Sequence, residues 1–243
     1  MTIFGISDRG AVRRSNQDSF RFRTDEAGEQ ASAVLCDGMG GAKSGEIASS
    51  IAAETFLSAS WEDMEQQPDT DLADIGRESA AYANLKVYDR AYRDPDCQGM
   101  GTTLVAVLVR RDSAVIVNIG DSRGYWFADG HIQQVTRDHS HVQELVDMGF
   151  ITQSEARSHP RKNLITRAVG LEKRMFSDIF RMDLHAGDRI LLCSDGLSNL
   201  VTEQELSEVL SGQSELEPCC RELLKMALDR GAPDNVTIVL LER

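Results

Sequence analysis

Long apolar runs are missing from this chain of 243 residues, and no stretch approaches the roughly 20 apolar residues of a membrane-spanning helix. A helical membrane protein is excluded on that ground. The first residues carry Asp8, Arg9, Arg13 and Arg14 where a secretion signal would have an apolar core. Cysteine is sparse: Cys36, Cys97, Cys193, Cys219 and Cys220 include no Cys-x-x-Cys spacing, which removes the usual signature of a zinc or dithiol motif. Their number is odd and Cys219 and Cys220 are adjacent, so reduced, buried thiols in a cytoplasmic protein are expected. Positive charge is also short. With 26 basic and 39 acidic residues the formal net charge is −13, which argues against nucleic acid or an anionic membrane as partner. Internal repeats, low-complexity tracts and linkers are absent, so residues 1–243 read as one domain.

What is present is a recurrent Asp at the edge of an apolar run. The run Ala31–Cys36 leads into Asp37-Gly38-Met39-Gly40-Gly41. Alone, Asp-Gly after a strand is the signature of a hairpin turn. The pattern returns, however, in Gly120-Asp121-Ser122 after Ala114–Ile119, in Ser194-Asp195-Gly196 after Arg189–Cys193, and in Asp234-Asn235 before Val236–Leu241. Four strand-end carboxylates from distant parts of one chain read as a cluster assembled by the fold.

Periodicity places the remaining elements. Strands are expected at 2–7, 19–23, 31–36, 102–110, 114–119, 123–128, 131–135, 177–183, 189–193 and 234–242. The four from Thr102 to Val135 read as an antiparallel meander, with Arg111-Asp112 and Asp129-Gly130 as turns. Helices are expected at 43–61, 71–93, 202–210 and 215–229, with Tyr82, Leu85, Tyr88 and Tyr92 as a core stripe of the second. Short helices at 140–149, 152–159 and 163–169 form an excursion. Its segment Arg137–Arg174 holds seven basic and five acidic residues, against the acidic balance of the rest. Strands in adjacent groups and helices in pairs favour antiparallel sheets covered by helices, an α+β fold.

Carboxylates and a backbone carbonyl, without His or Cys at ligand spacing, suit Mg2+ or Mn2+ rather than Zn2+. Ionised carboxylates crowded together raise one another's pKa unless cations join them. Two ions bridged by one Asp would activate a water and clamp a phosphoryl oxygen. Arg13 is then the natural anion partner, since a guanidinium holds phosphate oxygens bidentately; by position alone it reads as a surface arginine.

These residues resemble a known family. Val12-Arg13-Arg14-Ser15-Asn16-Gln17-Asp18, Cys36-Asp37-Gly38-Met39-Gly40-Gly41, Gly101-Thr102-Thr103-Leu104, Gly120-Asp121-Ser122-Arg123, Asp138-His139-Ser140, Ser194-Asp195-Gly196-Leu197 and Asp234-Asn235 stand in the order of the metal-dependent serine/threonine protein phosphatases of type 2C, in their compact bacterial form. The resemblance implies a four-layer α-β-β-α sandwich of two antiparallel sheets with a small helical flap, here at about residues 138–176. It implies direct hydrolysis of phosphoserine and phosphothreonine in proteins, reversing a serine/threonine kinase. Asp37 would bridge two Mn2+ or Mg2+ ions, Asp195 and Asp234 would hold one, and the Gly38 carbonyl would touch the other. Asp18 would act through water behind them, and Asp121 with Asp195 would frame a third ion. Arg13 would bind the substrate phosphate. Apart from the resemblance, the net basic excursion offers Arg157, Arg161, Lys162 and Arg167 for contact with the protein part of a substrate, Arg161 and Lys162 foremost, while balance of the acidic site or simple solvation is the preferred reading. The partners implied are phosphoproteins and a cognate kinase or its targets, and a monomer is expected.

The chain departs from some relatives at Met39 and Ala42, where those carry histidine, and at Gln17, where those carry an acid. No side chain at these places can protonate the leaving alkoxide. Of the five histidines only His139 is well placed, and a hydrogen-bonding role at the flap junction is the preferred reading for it. The proton is therefore expected from water on an ion. The alternative to an enzyme is a phosphatase-like regulatory module with little turnover, which hydrolysis of an aryl phosphate with Mn2+ would distinguish.

Overall fold

The computed structural model describes residues 1–40 and 44–243. Gly41, Ala42 and the expected helix start at Lys43 lie outside the described residues. Strands β1 (Thr2–Asp8), β2 (Asp18–Thr24) and β3 (Gln30–Met39) are followed by helices α1 (Ser44–Gln66) and α2 (Leu72–Arg93). Then come β4 (Gly101–Thr102), β5 (Leu104–Arg110), β6 (Ser113–Ile119), β7 (Arg123–Ala128) and β8 (His131–Gln134). The excursion carries α3 (His141–Asp147) and α4 (Gln153–Ser158). The chain ends with β9 (Asp178–Asp183), β10 (Arg189–Cys193), α5 (Asp195–Ser198), α6 (Glu203–Gly212), α7 (Leu216–Asp229) and β11 (Val236–Glu242).

Two antiparallel sheets result. One has the order β1-β11-β10-β7-β8; the other runs β2-β3-β5-β6-β9, with β4 paired to β3. Alternation along each strand decides which layer its residues face. Leu35, Val105, Val107, Ile116, Ile190, Leu192, Val239 and Leu241 meet between the sheets. The intervening Val34, Cys36, Leu104, Ala106 and Leu108 turn outward onto α1 and α2. Leu191, Cys193, Ile238 and Leu240 face α6 and α7 on the other side. Central strands buried on both faces explain the unbroken apolar runs of the sequence, and the expected four-layer sandwich is the architecture observed. Among the described residues no helix is long and apolar enough to cross a membrane.

Three expectations are corrected. The meander is broken: β5 and β6 pair in one sheet and β7 and β8 in the other, so the chain changes sheets at Gly120-Asp121-Ser122. The α2 stripe faces water, with Tyr82, Leu85 and Tyr92 exposed. Its packed face is Ala73, Ile75, Gly76, Ala80, Ala83 and Val87, because the helix lies so close to the sheet that a Cβ on Gly76 would stand 2.7 Å from Val117 Cγ2. Residues 163–169 are not helical. Their backbone groups pair outward instead: His141 N–H donates to Leu164 O, Thr166 N–H to His139 O, and Val169 N–H to Thr102 O.

Phe56 of α1 is fully buried in the helix–sheet core. Phe56→Ala is expected to cost about 3–5 kcal/mol, since cavity formation adds to the lost transfer energy. Urea unfolding of wild type and variant measures it; a loss near zero would contradict this packing.

Candidate functional site

The carboxylates singled out in the sequence meet where the ends of the two sheets face each other. Asp18 opens β2 and stands directly across from Asp37 of β3 in the antiparallel register. Opposed residues of such a pair share a face, so two like charges are set side by side. Asp121 sits in the crossing from β6 to β7, Asp195 at the first turn of α5, and Asp234 just before β11. A cleft of about 540 Å³ is lined by Asp37, Asp121, Asp195 and Asp234 together with Arg13 and Gly38. Asp18 lies behind it and is buried.

Asp37 is held by its backbone, and Asp18 and Asp234 by their carboxylates. The Asp37 backbone is clamped: its N–H donates to Thr103 Oγ1 at 2.9 Å, and its carbonyl accepts from Thr102 Oγ1 at 2.8 Å and from Thr103 N–H at 2.9 Å. Gly38 must be glycine there, as an added Cβ would stand 2.6 Å from Gln17 O and collide with the Gly45 backbone. Asp18 Oδ2 accepts from Thr237 Oγ1 at 2.6 Å and Ser194 Oγ at 2.9 Å. Asn235 accepts the Gln17 N–H and donates to the carbonyls of Arg9 and Ser15, which ties the Arg13 loop to the Asp234 turn. Arg13 Nη2 donates to Asp234 Oδ2 at 2.6 Å, so the guanidinium is already inside the cluster.

These supports were not assigned from the sequence. Thr102, Thr103, Ser194 and Asn235 were visible only as companions of the aspartates, and nothing local marks a hydroxyl as the partner of a carboxylate far along the chain. Thr237 lies on the strand and carries no motif at all.

The electrostatics follow from burial and crowding. Burial holds Asp37 well above the ordinary carboxylate range, and the charges of Asp18, Asp195, Asp121 and Asp234 add to the effect. Burial, opposed by the hydroxyls of Thr237 and Ser194, pushes Asp18 up to about 6. Burial and the charge of Asp234 push Asp195 up to about 6, against the pull of Lys162, Arg13 and Arg123. Burial, with Asp195 and Asp138, pushes Asp121 up to about 8.

A divalent cation fits this set. Asp18 Oδ1 and Asp195 Oδ1 are buried without a hydrogen-bond partner, which is the condition an added cation or its waters would relieve. Oxygen donors alone suit a hard ion. Among the described residues no three His, Cys, Asp or Glu side chains form a closed ligand cage. Like charges facing one another stand apart, and Mg2+ characteristically keeps several waters in its shell.

The flap contributes unevenly. Lys162 and Asn163 line a smaller cavity with Asp121, Asp195 and Arg157, and Asn163 and Ile165 also line the main cleft. Arg161 is exposed and lines neither. Arg167 turns to the flap base, where its Nη1 donates to Asp178 Oδ1 at 2.8 Å. His139 is buried and stands outside the lining of the main cleft. It accepts the Gly120 N–H on Nδ1 at 3.1 Å, which fits the anchoring role expected for it and not that of an acid at the reacting centre.

Comparison with known proteins gives a consistent result. Residues 10–237 match the family described as Protein phosphatase 2C. The serine/threonine phosphatase stp of Listeria innocua is 35% identical, over 98% of this chain and 94% of its own length. The structure of the Mycobacterium tuberculosis serine/threonine phosphatase PstP/Ppp superposes with a TM-score of 0.88 at 38% identity, covering 100% of this chain and 99% of that one. The catalytic domain of PstP in complex with two manganese ions superposes with a TM-score of 0.85 at 36% identity, covering 99% and 97%.

The raised carboxylates predict a pH dependence of stability. Their unfolded values lie near 4, so between about pH 4 and 8 the folded, metal-free protein binds more protons than the unfolded one. Stability from these groups therefore falls as pH rises through about 6 and 8. Melting in chelator is expected at lower temperature at pH 8 than at pH 5.5, and Mn2+ should reverse the order. A melting temperature that rises across this range in chelator would show that the carboxylates are not crowded as described.

Proposed function

The chain belongs to the Protein phosphatase 2C family and is a metal-dependent serine/threonine protein phosphatase, and from that premise we infer which of its residues do the work. The observation that carries the reading is the convergence of Asp37, Asp121, Asp195, Asp234 and Arg13 on one cleft with Asp18 buried behind it, and with buried carboxylate oxygens left unpartnered. Two ions of Mn2+ or Mg2+, when bound, would supply an activated water and neutralise phosphoryl oxygens.

Asp37, held at its backbone by Thr102 and Thr103, would be a ligand common to both ions. Asp195 and Asp234 would hold one, and the carbonyl of Gly38 the other. Asp18, held by Thr237 and Ser194, would support them through water. Asp121 and Asp195 would hold a weaker third ion. Arg13 donates to Asp234 at the rim of the cleft, and its guanidinium would hold the substrate phosphate there. None of the five cysteines is needed as a nucleophile; all are free and buried.

Residues 1–243 act as one catalytic domain with a flap at about 138–176, which fits three cores that share the same two sheets. Lys162 is better placed than Arg161 to meet the protein part of a substrate. The substrates are phosphoproteins of a serine/threonine kinase, met by a monomer in the cytoplasm; the free, buried cysteines support that compartment.

Activity on a phosphopeptide is expected to vanish in chelator and return with Mn2+ or Mg2+. Asp37→Asn should nearly abolish turnover, while Asp18→Ala costs about 10–100-fold in metal affinity or activity, as supporting residues generally do. Equal losses would refute the division between the two carboxylates. Separately, Lys162→Ala should slow phosphopeptide hydrolysis more than nitrophenyl phosphate hydrolysis, and Arg161→Ala should leave both unchanged. Equal slowing of both substrates by Lys162→Ala would remove its contact with the protein part.

A further inference from the structure

The flap leaves and rejoins the sandwich at a single knot of side chains. His139, where the chain leaves β8, is 6% exposed; Asp178 opens β9; Arg167 lies between them in sequence. Asp178 Oδ2 is 3.1 Å from His139 Nε2, and Asp178 Oδ1 accepts from Arg167 Nη1 at 2.8 Å. On its other side the imidazole meets the turn that changes sheets. Gly120 N–H donates to His139 Nδ1 at 3.1 Å, and His139 N–H donates back to Gly120 O at 2.9 Å.

This pattern fixes the tautomer. Nδ1 receives a backbone N–H, so it carries no proton; the proton sits on Nε2 and goes to Asp178. Arg167 Nη1, 3.2 Å from Nε2, is then a second donor facing a donor, and its partner is the carboxylate. A second proton on the ring would point at the Gly120 N–H. The ring is therefore kept neutral, and burial pushes its pKa in the same direction.

The Gly120 turn has only one way to sit. Its φ is +108°, and an added Cβ would stand 2.7 Å from Thr103 Cγ2. Ser122 and Thr103 share a hydrogen bond at 2.7 Å, and Thr103 is the residue that clamps Asp37. The turn is thus pressed on Thr103 from one side and held by His139 from the other, with Asp121 between.

We propose that His139 is a positioning residue that carries the seating of the flap base, through Asp178 and Arg167, to the Gly120–Ser122 turn and so sets where the Asp121 carboxylate stands. The inference rests on the reading of Asp121 as a cation ligand. It gives the flap a second task besides meeting substrate: occupancy of the weak metal site depends on whether the flap is docked.

The two faces of the ring can be separated by substitution. Asn places its amide oxygen near the position of Nδ1, and Gln reaches the position of Nε2. Mn2+ binding to the purified proteins, read by electron paramagnetic resonance, and melting temperature are measured for wild type, Asp121→Asn, His139→Asn, His139→Gln and Asp178→Ala. His139→Gln, which loses the Gly120 bond, is expected to weaken the weakest Mn2+ site about 10–100-fold, as second-sphere changes do, and His139→Asn, which keeps that bond but loses Asp178, should weaken it less, to the level of Asp178→Ala. Asp178→Ala, at the partly exposed end of the relay, should weaken the same site less and fold where His139→Gln does not. In an Asp121→Asn background His139→Gln should add nothing, because both act on one ligand. A weak Mn2+ site unchanged from wild type in His139→Gln, in His139→Asn or in Asp178→Ala overturns the proposal. Unchanged Mn2+ binding in Asp121→Asn overturns instead the ligand reading of Asp121, and the proposal falls with it.

Discussion

Repulsion among buried carboxylates is the constraint on which this structure depends. Burial and the charges of neighbouring carboxylates push the pKa values of Asp18, Asp37, Asp121 and Asp195 upward. No local segment would adopt such an arrangement. It is imposed by two sheets buried on both faces, and by hydroxyl and backbone partners that hold Asp37 by its backbone and Asp18 by its carboxylate. Thr102 and Thr103 hold Asp37, Thr237 and Ser194 hold Asp18, and Asn235 holds the loop that brings Arg13. Hydrophobic burial supplies the rigidity, and the carboxylates store the resulting strain as affinity for cations.

The division of labour between the sheets follows. Asp18 and Asp37 come from β2 and β3 of one sheet, and Asp195 and Asp234 from the ends of β10 and β11 in the other. Asp121 lies on the connection between them. A cation placed among these residues would fasten one sheet to the other at their open ends, so the catalytic centre would double as a staple of the sandwich. Arg13 brings a positive charge to the same end through its bond to Asp234.

Much of this was legible before the structure. Each apolar run bordered its carboxylate, and the four layers followed from strand grouping and family resemblance. What failed did so for identifiable reasons. The β6–β7 connection reads as a hairpin because a turn of Gly, Asp and Ser looks the same whether the chain returns to its own sheet or crosses to the next. The tyrosines of α2 look like a core stripe, but close helix packing selects alanine and glycine and sends large rings outward. Residues 163–169 have helical spacing, yet their backbone donors and acceptors are taken by Thr102 and by residues 139–141. The hydroxyl partners of Asp18 were hidden because hydrogen bonds across some two hundred residues leave no local mark.

The pairing of β1 with β11 joins Thr2 to Glu242. The first strand of the sheet has no other neighbour, and Asp234 is delivered by the strand it waits for. Closing so long a loop is entropically costly and is repaid only by contacts that form together. During synthesis the early half of the chain can build the β2-β3-β5-β6 layer and bring Asp18 opposite Asp37. The opposite wall of the cleft cannot be completed until β11 is made. Chains that stop short of β11 lack both Asp234 and the partner that holds Arg13, and their first strand waits without its neighbour in the sheet.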